Sequence, residues 1–375
     1  MEATVLRLDP NEPLPPEFEA WNSQTTLALI FALSRPAPAS CIARICAALK
    51  DATVLGCSTA GEIMGTEILD DTVVVALMKF REVTLRLASA PIETAAASRR
   101  AGDQIAQALL LPGLRAVIVL SDGIRVNGSQ LVEGLSGALP PDVIVTGGLA
   151  GDRSRFEETW IVLNGTPVSG HVTAVGLYGP SLAIGHGFKG GWDIFGLERL
   201  VTASTDNILY ELDGKPALAL YKEYLGDLAN ELPASALLFP LLLRTAEGAV
   251  ARTVLAVDET KGSMTFAGDL PKGSTVQFMR ANFDRVIGGA GDAGLLAGRG
   301  LPEDEPVLLL AISCVGRRLA LGDRCEEELE ATLESMPAKT LQAGFYSYGE
   351  ISPEGLGSCQ LHNQTMTLTA ISERR

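Results

Sequence analysis

Thr53-Val54-Leu55-Gly56-Cys57-Ser58-Thr59-Ala60-Gly61-Glu62 runs a short apolar strand into a glycine followed by an acid. The same ending comes twice more: Ala150-Gly151-Asp152 after a strand pattern at 143–146, and Tyr348-Gly349-Glu350 after one at 340–346. A helix pattern precedes each of these strands, at 40–50, 128–139 and 325–335. Before each helix comes an apolar run that stops at a serine: Ser34, Ser121 or Ser313. Arg35-Pro36 bounds the first run, and Ser40 stands where a helix cap is expected. Further strands follow each turn, at 72–80 and 83–88, at 159–163 and 172–178, and at 365–371. The chain therefore reads as three copies of strand, helix, strand, turn, strand. Phe266-Ala267-Gly268-Asp269 is a fainter fourth echo of the turn, with a helix expected near 282–296.

The irregular spacing points to duplicated domains rather than a solenoid. The expected fold is α/β, with two related domains built from repeated β-α-β-turn-β units in mixed sheets. Residues 1–24 carry Pro10, Pro13, Pro15 and Pro16 among acids and read as an N-terminal arm. Glycine tolerates positive φ, so each turn can reverse sharply, and the acid can cap the turn's own amides. That structural role is the plainer account of the repeat. The sharper one is a pocket where strand ends meet, the usual ligand position in open α/β sheets.

Composition narrows the partners. The chain has 375 residues, is 47% apolar and carries a formal charge of −15. Such a chain can build a full core, while its charge repels phosphate backbones and anionic membranes. Nucleic acid and membrane insertion are therefore not expected. The opening residues lack a basic and apolar leader, so the cytoplasm is the expected location. The six cysteines show no CxxC pair, which reads as reduced, buried small side chains.

Gly56 through Ile63 and Gly147-Gly148-Leu149-Ala150-Gly151-Asp152 resemble the signature of the FIST sensory domain. The stretch 201–217 resembles the end of the family's N-terminal domain, and 344–351 and 361–369 resemble the end of its C-terminal domain. The resemblance spans residue 25 to the end. It implies an N-terminal domain at 25–218 and a C-terminal domain at 219–375. It also implies an intracellular bacterial input module for small ligands, amino acids among those proposed. One branch, the nitric-oxide-sensing haemoproteins called NosP, binds haem and regulates a histidine kinase. Gly185-His186-Gly187, Gly190-Gly191-Trp192 and 232–240 are similar to that branch. The resemblance therefore implies haem as a cofactor and a separate signalling protein as partner.

The candidate ligand-binding residues are Ser58, Thr59, Gly61, Glu62, Gly151, Asp152, Trp192, Tyr348 and Glu350. His186 and His362 are alternative axial ligands for haem iron. Glycines beside His186 would admit a flat cofactor, and Trp192 and Phe195 would cover its face. A loop histidine at 186 and a hydrogen-bonded structural histidine at 362 are the plainer accounts. Cys314 stands near Arg317, which would favour a thiolate, although a buried strand cysteine is the simpler reading. There is no Gly-x-Ser-x-Gly elbow, no phosphate-binding loop and no His-Glu-x-x-His. The leading expectation is a sensory module without catalytic residues. A metabolite-processing enzyme with an inter-domain site, and a ligand-free scaffold, are the alternatives.

Overall fold

The computed structural model describes residues 1–34, 38–245, 248–354 and 358–375. The Arg35-Pro36 boundary lies outside the described residues. The chain opens with β1 (Glu2–Leu8) and a 3-10 turn (Pro16–Trp21). The first unit runs β2 (Thr26–Leu33), α1 (Ala39–Ala48), β3 (Thr53–Thr59), the hairpin β4 (Glu62–Met64) and β5 (Glu67–Leu69), β6 (Val73–Lys79) and β7 (Thr84–Pro91). After α2 (Ser98–Leu109) the second repeats it: β8 (Leu114–Ser121), α3 (Gly128–Ala138), β9 (Ile144–Leu149), the hairpin β10 (Ile161–Leu163) and β11 (Thr166–Val168), β12 (His171–Tyr178) and β13 (Leu182–Lys189).

An inserted body follows: β14 (Trp192–Thr205), β15 (Ile208–Leu212), β16 (Lys215–Pro216), α4 (Ala217–Leu225), β17 (Leu241–Thr245), β18 (Gly248–Arg252), β19 (Val254–Asp258), β20 (Ser263–Phe266) and β21 (Thr275–Ala281). Then α5 (Phe283–Ala297) leads into the third unit: β22 (Val307–Cys314), α6 (Val315–Leu321), α7 (Cys325–Leu333), β23 (Thr340–Ser347), the hairpin β24 (Gly349–Glu354) and β25 (Ser358–His362), and β26 (Met366–Glu373).

The three units make three six-stranded sheets with one strand order. These are β1-β6-β2-β3-β10-β11, β7-β12-β8-β9-β24-β25 and β13-β26-β22-β23-β4-β5. Each holds one parallel pair, β2 with β3, β8 with β9 and β22 with β23, and the rest pair antiparallel. The expected mixed α/β architecture is present. Each unit sends its post-turn hairpin into another unit's sheet, so no sheet is complete by itself. The expected arm is instead strand β1, which takes in the first sheet the edge place held by β7 and β13 in the others. Its prolines lie after the strand, which is why they hide it without preventing it.

The inward faces of the sheets share one core, with Leu29 and Phe31, Ile118 and Leu120, and Leu310 and Ile312 together. Phe31 stacks on Phe345 at 5.0 Å. Helices cover the outward faces: Ile42 and Ile45 of α1 lie on Ala28 and Ile30 of β2. Strands buried on both faces lose the apolar–polar alternation, and so 26–33 and 307–314 read as unbroken apolar runs. The inserted body has its own core around Tyr221, Phe266 and Phe278. Helix α1 starts behind Pro38 without a side-chain cap, so Ser40 does not play the expected capping role.

Close backbone approach fixes two of the glycines. A Cβ on Gly147 would lie 1.9 Å from the Val119 carbonyl oxygen, and one on Gly344 would lie 1.7 Å from that of Ala311. Either would force the central parallel pair apart. Gly344→Ala is expected to lower stability by about 3 kcal/mol, read from chemical denaturation. An unchanged midpoint would refute this account.

Candidate ligand site at the junction of the strand ends

The parallel pairs end level, with Leu33 opposite Thr59, Ser121 opposite Leu149 and Cys314 opposite Ser347. The turns that follow meet. Ala60 donates its amide to the Tyr346 carbonyl at 2.8 Å, and Tyr346 returns one to Gly61 at 2.8 Å. Gly151 donates to the Ser58 carbonyl at 3.0 Å, and Tyr348 to that of Leu149 at 3.2 Å. Gly61 has φ +134°, which explains the glycine in the first turn.

The three acids point inward and are buried. Glu62 accepts from the Thr59 hydroxyl three residues back and from Thr72 at 3.3 Å. Glu350 repeats the device, accepting from Ser347 at 2.6 Å and from the Thr365 hydroxyl at 3.0 Å. Burial pushes the Glu62 carboxyl up to about 7 and the Glu350 carboxyl up to about 8. The second turn has Leu149 where the others have a hydroxyl. Asp152 instead accepts amides from Phe156, Glu157 and Glu158 at 2.9, 2.9 and 3.0 Å, together with the Tyr348 hydroxyl from the third turn. Tyr348 also stacks on Phe156 at 4.5 Å. Ser58 accepts the Trp160 amide at 3.0 Å.

Thus the structure brings together Ser58, Thr59, Gly61, Glu62, Gly151, Asp152, Tyr348 and Glu350. Their side chains are tied to one another and to local amides, as the plainer account of the turn requires. Burial thus raises two of the three carboxyl groups at the junction well above the ordinary carboxylate range.

From Glu350 a polar seam runs along β26. Thr365 lies 3.3 Å from Thr367, and Thr369 lies 2.6 Å from Thr146. His186 of β13 faces Thr369 across the ladder, and His362 faces Glu350. Nε2 of His362 lies 3.3 Å from the Ser352 carbonyl, and its ring stacks on Phe188 at 4.1 Å. Burial pulls its pKa down to about 4. His186 is half-buried, which also lowers its pKa, and its Nδ1 has no hydrogen-bond partner.

The glycines beside His186 do not open onto a flat ligand. A Cβ on Gly185 or Gly187 would meet the α5 carbonyls of Ala297 and Ala293 at 2.0 and 2.1 Å. They let the helix lie close on the sheet. Phe195 packs on Tyr224, Phe239 and Phe278 in the inserted core, not over His186. Trp192 donates its indole to the Gln364 carbonyl at 3.0 Å. All six cysteines are free, and burial raises the pKa of each, Cys314 included, so the thiolate reading of Cys314 fails. Among the described residues no group of three or more His, Cys, Asp or Glu side chains is placed to hold a metal ion, and no helix is long and apolar enough to cross a membrane.

Reading by residue type missed Arg252, Ser129 and Asn127, which gather around Asp269 of the fourth turn echo. The echo itself was the available signal.

A ring of β-α-β units with a buried acidic junction is a scaffold that can couple its parts. Family models match it in two stretches: a FIST N domain over residues 26–215 and a FIST C domain over 217–353. The chain belongs to the FIST family, whose domains are sensory, signal-transduction modules that bind small ligands. A search of curated proteins finds no match. Among solved structures, a cyanuric acid hydrolase from A. caulinodans is similar at 9% identity over 99% of each chain, with a TM-score of 0.38, too low to bear on fold or activity.

Proposed function

We propose that this chain is a small-ligand sensor that passes its state to a separate signalling protein, a histidine kinase being the class its NosP-like motifs suggest. The observation that carries the reading is the exchange of hairpins between the matched stretches. Hairpin β24–β25, whose first strand lies in the C-terminal match, completes the second unit's sheet, while β4–β5 from the N-terminal match completes the third. A ligand that favours one arrangement of either stretch must shift the other, provided its contacts differ between the two arrangements.

Haem is one ligand to test. His186 fits an axial role, because its ring is held neutral and Nδ1 is unpartnered; His362, bonded and stacked, does not. With α5 filling the glycine face, a flat cofactor would have to approach from the side of the His186 ring itself. Bound haem would supply the nitric-oxide-binding chemistry. Protein reconstituted with haemin is expected to show a Soret band that shifts with nitric oxide, persists in His362→Ala and disappears in His186→Ala. Absence of any band removes haem from the proposal.

A further inference from the structure

The inserted body turns one sheet face to solvent. Strands β18, β17, β21 and β14 lie side by side in it. Phe195, Phe278, Leu241 and Leu243 point one way, into the body's own core. Strand alternation sends their neighbours the other way. There the register sets Ile194 opposite Met279, Leu200 opposite Thr275, and Leu242 between Gln277 and Ala251. Ile194 and Leu200 are each 44% exposed. A lone apolar side chain on a surface needs no explanation, but several on one face mark a contact surface.

Between those two residues β14 buckles. Phe195 pairs with Phe278 and Arg199 with Val276, so Gly196-Leu197-Glu198 stand against Gln277 alone. The bulge is built rather than frayed: Gly196 takes φ +73°, and its carbonyl accepts from the Gln277 side chain at 2.9 Å. Bulges re-aim side chains, and this one holds Leu197 out at 68% exposure. A large apolar side chain fixed in that way has the form of an anchor for another surface. Charge says which surface. At −15, two copies of the chain repel at long range. The rim of this face departs from that balance, with exposed Glu198, Arg244 and Lys272, one acid against two bases. A twofold contact sets a patch against its own copy, so its rim must hold both signs, as this one does.

We propose that the outward face of β14, β21 and β17 is a homodimer interface, on which a second copy of this chain packs the same face about a twofold axis with Leu197 as the anchor. Two sheet faces stacked in this way take Ile194, Leu197 and Leu200 out of water together. The interface goes beyond the sensory reading and does not depend on it, because it uses neither the turn junction nor His186.

The test is sedimentation equilibrium of the full chain, which is expected to show the mass of two chains at micromolar concentration, falling toward one on dilution. Leu197→Asp puts a carboxylate at the centre of the buried face and is expected to weaken association about a hundredfold. Glu198→Lys makes the three rim charges all basic, so that the two copies repel, and is expected to weaken it about tenfold. Leu110→Asp changes a leucine of similar exposure, 45%, at the end of α2, and is expected to have no effect. Circular dichroism checks that each variant is folded, and Glu198→Lys, which alters charge alone, carries the test if Leu197→Asp is not. Weakening by the face variants with Leu110→Asp unaffected supports the interface. A wild-type chain that stays monomeric at about 100 μM overturns it, even where another protein binds the same face. A dimer that neither face variant weakens, or that Leu110→Asp weakens as much, overturns it too, and in each case the sensory reading stands.

Discussion

Glu373→Gln is expected to remove about 3 kcal/mol of stability at pH 7, with the difference from wild type fading as the pH is lowered toward 2. Glu373 ends β26 in the third sheet, and its carboxylate reaches the loop between β6 and β7. It accepts the amides of Arg81, Glu82 and Val83 at 2.8, 2.7 and 3.1 Å, and the Met1 amino group lies 3.3 Å away. Burial alone would raise the carboxyl, but these donors outweigh it and hold it at about 2, below the ordinary 4.5. A depressed carboxyl stabilises the fold fully above pH 4.5 and loses that contribution as the pH falls through 2. The glutamine turns an N–H toward the same donors. Urea titrations of both proteins at several pH values check this, and a gap that stays constant down to pH 2 would refute it.

Glu350→Gln should act in the opposite direction. Burial raises the Glu350 carboxyl to about 8, so the folded state favours the protonated form. Its cost is absent below pH 4.5, grows as the pH rises to 8 and is constant beyond. Glutamine is neutral throughout, and it can accept from Thr365 while donating to Ser347. The variant is expected to match wild type near pH 5 and to exceed it by as much as about 4 kcal/mol at pH 9. Glu62→Gln should show the same trend with smaller amplitude, its carboxyl sitting at about 7. A variant less stable than wild type at pH 9 would show that the carboxylate is wanted there.

The repeat was legible because its signals are local. A glycine followed by an acid at each turn, a hydroxyl three residues before the acid in two of the three, and an apolar run buried on both faces each leave a mark on the chain. Where the hairpins go left none. Glu62–Met64 and Glu67–Leu69 are three-residue strands, too short for an alternating pattern, and the strand that seats the hairpin, β23, lies hundreds of residues away. Strand β1 was hidden by the prolines that follow it. The glycines around His186 read as room for a flat cofactor, but the close approach they allow is that of helix α5, which the sequence does not reveal. Arg252 was invisible because its partners Ser129, Leu361 and Asp269 come together around it only in the fold.

The exchanged hairpins bear on how such a molecule can be taken apart. Cutting between the two family stretches would leave the second sheet without β24 and β25 and the third without β4 and β5. Each fragment would then expose unpaired strand edges of the kind that drive association. One unit cut out alone would carry a hairpin it cannot seat and an edge it cannot cover. Three such pieces, each lending its hairpin to a neighbour, would close the same circle as a trimer with a threefold axis through the acidic junction.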